Sequence, residues 1–133
     1  MPVQSFNHFN LRADRDLVAK LRDFYVAVVG LKVGPRPSFN FNGYWLYVGD
    51  LAVLHLVEAS DAPGAGHVRH GSFDHVAFSC SGLAGFEEQF RRTGVSYRRT
   101  PVPGTDIVQL LVQDPAGNGV ELNFAGQARM PLD

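Results

Sequence analysis

Phe73-Asp74-His75-Val76-Ala77-Phe78 and, 67 residues earlier, Phe6-Asn7-His8-Phe9-Asn10-Leu11 are the two stretches on which the reading of this chain turns. Each places a histidine third in a loosely alternating run, the way a strand presents its residues. The echo extends beyond them. Val112 stands 64 residues after Val48, Asp114 64 after Asp50, and Glu121 66 after His55. An offset this steady across half the chain marks duplication of one supersecondary module.

Outward from the first stretch, Val3 to Leu11 is expected as a strand. Asp14 is a candidate N-cap for a helix carrying Leu17, Val18, Leu21, Phe24, Tyr25 and Val28 at helical spacing, and Gly30 suits its left-handed end. Gly34, Pro35 and Pro37 break the chain. Strands are then expected at Tyr44 to Val48 and Ala52 to Val57, joined by Gly49-Asp50. The second stretch opens the same order again: a strand at Phe73 to Phe78 and a shorter helix with Leu83, Phe86 and Phe90 ending near Gly94. Strands follow at Val95 to Arg99, Ile107 to Gln113 and Gly119 to Phe124, the last two joined by the turn Asp114-Pro115-Ala116-Gly117-Asn118. The expected fold is α+β: two βαβββ modules, about residues 3–59 and 73–125, forming curved sheets around a metal-binding cleft with helices on the outer faces. The connector, residues 60–72, is rich in Gly and polar residues, and the whole reads as one domain.

The composition narrows the function. Twelve Lys and Arg against thirteen Asp and Glu leave a formal charge of -1, too little to bind nucleic acid or an anionic membrane by charge. No apolar run approaches the roughly 20 residues of a membrane span, and the start Met-Pro-Val-Gln-Ser-Phe-Asn-His lacks a signal pattern. A cytoplasmic protein is expected. The single cysteine, Cys80, lies in an apolar run and reads as an inert thiol.

Alternation along the strands sorts the polar residues. Val53, His55 and Val57 point one way, Leu54 and Leu56 the other. Val120 and Leu122 pack under a helix, which leaves Glu121 and Asn123 on the opposite side. His8, His55, His75 and Glu121 thus offer three imidazoles and a carboxylate from equivalent points of the repeat. With no thiolate among them, they suit Fe(II), Mn(II), Co(II), Ni(II) or Zn(II). Taken singly, any of the histidines is more often a hydrogen-bonded core or surface residue, and Glu121 a solvated one; the joint pattern favours ligation. His67 and His70 fall in the connector and read as solvent-facing. Trp45 and Tyr47 share a strand face and are candidates for the wall of a substrate pocket, although such a pair also suits a core. Arg98 and Arg99 point to opposite faces and read as surface charge.

The Phe73–Phe78 stretch, the helix leading to Gly94-Val95, and Asp114-Pro115-Ala116-Gly117-Asn118-Gly119-Val120-Glu121-Leu122 resemble the second module of the vicinal oxygen chelate superfamily, which includes glyoxalase I, the extradiol dioxygenases and the bleomycin resistance proteins. Phe6-Asn7-His8-Phe9 and the Phe24-Tyr25 helix ending at Gly30-Leu31 resemble its first. The resemblance runs from about Val3 to Phe124. It implies that His8, His75 and Glu121 are the shared two-histidine, one-glutamate metal set. His55 stands where glyoxalase I carries a second glutamate, either as fourth ligand or as a general base. Around Thr105 to Phe124 the chain has neither the tyrosine nor the histidine of an extradiol dioxygenase. The implied function is a metal-dependent lyase, isomerase or dioxygenase chelating neighbouring oxygens of a small substrate. The alternatives are a metal-free antibiotic-sequestering protein and a metal-dependent fosfomycin thiol transferase. A homodimer is also expected, because two-module relatives commonly build the site between two chains.

Overall fold

The computed structural model describes residues 3–62, 64 and 72–128, so His67 and His70 lie outside the described residues. The chain divides into two compact units, Met1–Val68 and Arg69–Asp133. In the first, strand β1 (Phe9–Ala13) is followed by helix α1 (Arg15–Phe24), which runs into a π-helical turn, Tyr25–Val29. Strands β2 (Lys32–Gly34), β3 (Gly43–Val48) and β4 (Leu51–Glu58) complete the unit. In the second, β5 (His75–Cys80) and α2 (Leu83–Thr93) precede β6 (Arg98–Pro101), β7 (Val108–Gln113) and β8 (Gly119–Phe124).

The two sheets have the same topology. Their orders are β1-β4-β3-β2 and β5-β8-β7-β6, with the first two strands of each parallel and the others antiparallel. Each unit is therefore one βαβββ module.

Helix α1 starts where the sequence provides a cap: Asp14 Oδ1 accepts the Leu17 backbone N–H at 2.9 Å. Its apolar stripe, Leu17, Val18 and Leu21, is buried on the sheet with Leu46, Leu54 and Leu56. The helical run ends at Gly30, whose φ of 96° is open to glycine at little cost. In the second unit Phe90, Leu110, Val120, Leu122 and Phe124 form the corresponding core, and the Phe86 ring meets Phe124 edge-on at 5.3 Å. Alternation then sets His55 and Trp45 in one sheet, and Glu121, Leu111 and Gln109 in the other, on the face turned away from the helix.

Several boundaries differ from the sequence reading; β5 spans His75–Cys80 where a strand at Phe73 to Phe78 was expected. Strand β1 begins at Phe9, which pairs with Leu54, not at Val3, so Phe6 and His8 precede the strand. Lys32–Gly34 is a short edge strand where only a chain break was expected, and Gly34 is needed there because a Cβ would come within 2.6 Å of the Tyr47 ring. Strand β6 begins at Arg98 rather than Val95, pairing with Leu111.

Candidate metal centre

The parallel strand pairs carry the four candidate donors at matching places. His55 on β4 pairs with Asn10, two residues beyond His8; Glu121 on β8 pairs with Ala77, two residues beyond His75. The repeat read in the sequence is thus a repeat of register. In each unit one donor sits where the first strand starts and the other is on the neighbouring parallel strand.

In the second unit, His75 Nδ1 lies 2.8 Å from Asp74 Oδ2 and His75 Nε2 lies 3.5 Å from Glu121 Oε1. A carboxylate only accepts, so the Asp74 contact places the ring proton on Nδ1 and leaves Nε2 with a lone pair when the ring is neutral. Two electron-rich atoms then face each other, an arrangement favoured only with positive charge between or on them. The Asp74 hydrogen bond raises the His75 pKa above the ordinary imidazole value; desolvation, the next largest effect, opposes it, and the negative charges of Glu121 and Asp74 add to the rise. Gln109 Nε2 donates to the other oxygen, Glu121 Oε2, at 3.2 Å and fixes the carboxylate.

Backbone geometry supports the same pair. The Asp114 carboxylate accepts from the backbone N–H groups of Ala116 and Asn118 at 2.9 Å and from Asn118 Nδ2 at 3.0 Å, closing the turn before β8. Both Asp114 and Asn118 are buried. Gly119 N then donates to Asp74 O at 3.0 Å, and a Cβ at Gly119 would lie 2.8 Å from that oxygen and 2.9 Å from His75 Cβ. Glycine lets β8 approach the residues that present His75.

The first unit repeats part of this pattern. His8 Nδ1 lies 2.7 Å from Asn7 Oδ1, the position equivalent to Asp74. The His8 and His55 rings are stacked, with centroids 3.7 Å apart and planes 13° apart, and Trp45 stacks on the other face of His55 at 4.0 Å and 8°. Burial first, and the neighbouring His8 second, push the His55 pKa below the ordinary imidazole value. A nitrogen lone pair lies in its ring plane, so an ion held by two imidazoles must lie in both planes. Nearly parallel stacked planes do not meet within the ~2.1 Å of a metal–nitrogen bond. As stacked, either ring can serve an ion but not both the same one; joint ligation requires one ring to turn.

Within either unit, the described residues bring no three potential ligands together. The four donors fall two and two, and their chemistry, imidazole with carboxylate and no thiolate, fits a divalent first-row ion. Cys80 is half-buried and burial raises its pKa, which keeps the thiol protonated.

Of the candidate pocket residues, Trp45 belongs to the histidine stack, whereas the Tyr47 hydroxyl donates to Pro35 O at the edge of the sheet. Arg99 Nη1 is committed to Glu87 Oε2 at 2.9 Å, and Arg98 is exposed. Asn7, Asp74 and Gln109 were passed over by the sequence reading. The first two could have been noticed as polar residues immediately preceding both repeat histidines; Gln109 needed the register of β7 against β8.

The family model of the Glyoxalase/Bleomycin resistance protein/Dioxygenase superfamily matches residues 5–122, and the chain belongs to that superfamily. Solved structures share the fold at low identity. A glyoxalase family protein from Bacillus anthracis superposes with a TM-score of 0.72 at 20% identity, covering 94% of this chain and 98% of that one. A lactoylglutathione lyase from Agrobacterium tumefaciens gives 0.65 at 19%, covering 93% and 96%. TnmS3, an antibiotic binding protein from Streptomyces sp. CB03234, gives 0.65 at 18%, covering 95% and 99%. A comparison with curated protein sequences returns no match. A lyase and a binding protein are equally close, so the fold alone does not choose between them.

Proposed function

We propose that this chain is a divalent-metal-dependent enzyme acting on a small oxygenated substrate with two neighbouring oxygens. His8, His75 and Glu121 hold the ion, and His55 serves as fourth ligand or as general base. The observation that carries this reading is the His75–Glu121 pair: two acceptor atoms 3.5 Å apart, one steered by Asp74 and the other by Gln109, with no side-chain donor between them among the described residues. A bound divalent ion supplies Lewis acidity toward substrate oxygens and stabilises charge that develops on them. The chain's own part is to orient Nε2 of His75 through Asp74, to fix the Glu121 carboxylate through Gln109, and to keep His55 neutral near pH 7 beside Trp45. A neutral, partly buried imidazole is suited to accept a substrate proton.

The division of donors between the units supports a homodimer with sites shared between chains. A mixed dimer of His8→Ala/His55→Ala with His75→Ala/Glu121→Ala tests it: shared sites leave one of two sites able to bind metal, and sites within one chain leave none.

Elemental analysis of protein purified without chelators, followed by aerobic and anaerobic substrate panels, tests the enzyme reading. About one iron, manganese, cobalt, nickel or zinc per chain is expected, and metal-free protein that turns nothing over defeats it. The stacked His8–His55–Trp45 rings favour one second reading, a metal-free protein that binds a small organic ligand against that stack. Metal content separates the two.

A further inference from the structure

The helix-covered face of the first sheet carries an open cavity of about 500 Å³ whose lining includes Arg15, Arg22, Arg36, Asn42, Tyr44 and Glu58. It is a separate place from the candidate metal donors. Tyr44 pairs with Leu56, and Glu58 follows two residues later, so both lie on the sheet face that packs against α1; Trp45 and His55 lie on the other.

Three guanidinium groups against the Glu58 carboxylate of the lining and the Asp23 carboxylate paired with Arg22 leave one positive charge in excess, and two of the arginines are held in place. Arg22 Nη1 donates to the Tyr44 hydroxyl at 2.7 Å, its Nε donates to the exposed Asp23 at 3.0 Å, and its guanidinium lies 4.9 Å from the Tyr44 ring centre. These bonds leave Nη2 available. Arg36 lies over the Phe39 and Phe41 rings at 5.0 and 5.3 Å and donates from Nη2 to Phe41 O at 3.2 Å. Neither Arg15 nor Arg36 has a carboxylate partner among the described residues. Holding uncompensated cations around a concavity costs stability through mutual repulsion, and an anion relieves it.

We infer that this cavity is a second ligand site, which takes the phosphoryl group of a small phosphorylated hydroxy compound. Arginines from α1 and from the segment after β2 approach from different elements, which suits a tetrahedral dianion better than a planar carboxylate that one guanidinium fork can satisfy. The volume exceeds that of a phosphate group, and the Glu58 carboxylate and the Asn42 side chain supply acceptors for hydroxyl groups on the remainder.

The test is calorimetric titration of the full chain with glycerol 3-phosphate, inorganic phosphate and glutarate at low ionic strength, with the arginine Nε–Hε resonances followed by NMR. Glycerol 3-phosphate is expected to saturate one site per chain, to bind more tightly than the other two, and to shift Arg22 and Arg36. Arg15→Gln and Arg36→Gln should each weaken it roughly tenfold. Arg15 makes no other side-chain bond among the described residues, so its replacement reads the site and not the fold. His75→Ala should leave this binding unchanged. No saturable binding up to about 10 mM, wild-type affinity in both arginine variants, or loss of binding in His75→Ala would overturn the site. Glutarate binding as tightly would overturn the phosphoryl assignment, and inorganic phosphate binding as tightly would overturn the hydroxy compound.

Discussion

Asp74 Oδ2 accepts from Nδ1 of His75 at 2.8 Å, and Asn7 Oδ1 stands 2.7 Å from Nδ1 of His8, so the residue before each repeat histidine fixes which ring nitrogen is left free. Hydrogen bonds of this kind set the tautomer and the basicity of a metal-ligating imidazole. Replacing Asp74 with Ala should weaken metal binding by roughly 10- to 100-fold and shift the neutral His75 ring toward a mixture of tautomers. Imidazole nitrogen chemical shifts of the metal-free protein read the tautomer directly. An unchanged Nδ1–H form in Asp74→Ala would remove Asp74 from this role.

His75→Ala and Glu121→Ala should each abolish most metal binding near neutral pH while leaving the fold intact, since His75 is exposed and Glu121 lies on the face away from the core. Equilibrium dialysis with zinc or nickel, alongside circular dichroism, checks both. Wild-type affinity in either variant would show that the donors are misassigned.

Gly119→Ala is expected to disturb the site with modest unfolding, because the added methyl would meet Asp74 O at 2.8 Å and His75 Cβ at 2.9 Å. The strand pair must separate at the point where His75 is presented. A stability loss of about 1–3 kcal/mol is expected by overpacking, together with a larger proportional loss of metal affinity. Denaturant melts and metal titrations on the same preparation separate the two. By contrast, Leu122→Ala removes a core side chain and should cost about 2–5 kcal/mol.

Trp45 is the chain's single tryptophan and stacks on His55 at 4.0 Å, so its fluorescence reports the charge of that ring. A protonated imidazole quenches indole emission. Because the His55 pKa is lowered by burial first and by His8 second, emission should stay high at neutral pH and fall only below about pH 6.5. His55→Gln should abolish this step. A midpoint above that value would contradict the buried, neutral state of His55.

Opposite signs are expected for the two histidines in the stability of the metal-free protein. The raised pKa of His75 means that its contribution is fully present below about pH 6.5 and is lost as pH rises through the folded value. The lowered pKa of His55 means that its contribution is present above about pH 6.5 and is lost as pH falls through the folded value. Thermal melts of wild type, His75→Gln and His55→Gln should show the His75 substitution costing more at about pH 5.5 than at pH 8, and the His55 substitution the reverse.

Much of this architecture is legible in the order of residues. The steady offsets between His8 and His75 and between His55 and Glu121 announce the duplicated βαβββ unit, because a strand's two-residue period and a helix's 3.6-residue period are written locally in the alternation of apolar side chains. The same alternation sends Leu54, Leu56, Val120 and Leu122 to the core and their neighbours to the other face. Tertiary structure alone decided the rest. A parallel register joining residues more than forty positions apart sets His75 against Glu121, and the antiparallel register of β7 on β8 brings Gln109 to the Glu121 carboxylate. The stacking of His8 and of Trp45 on His55 depended on three segments lying side by side. Strand pairing and ring stacking are energies between segments distant in the chain, and the pattern within one segment does not name the partner it packs against.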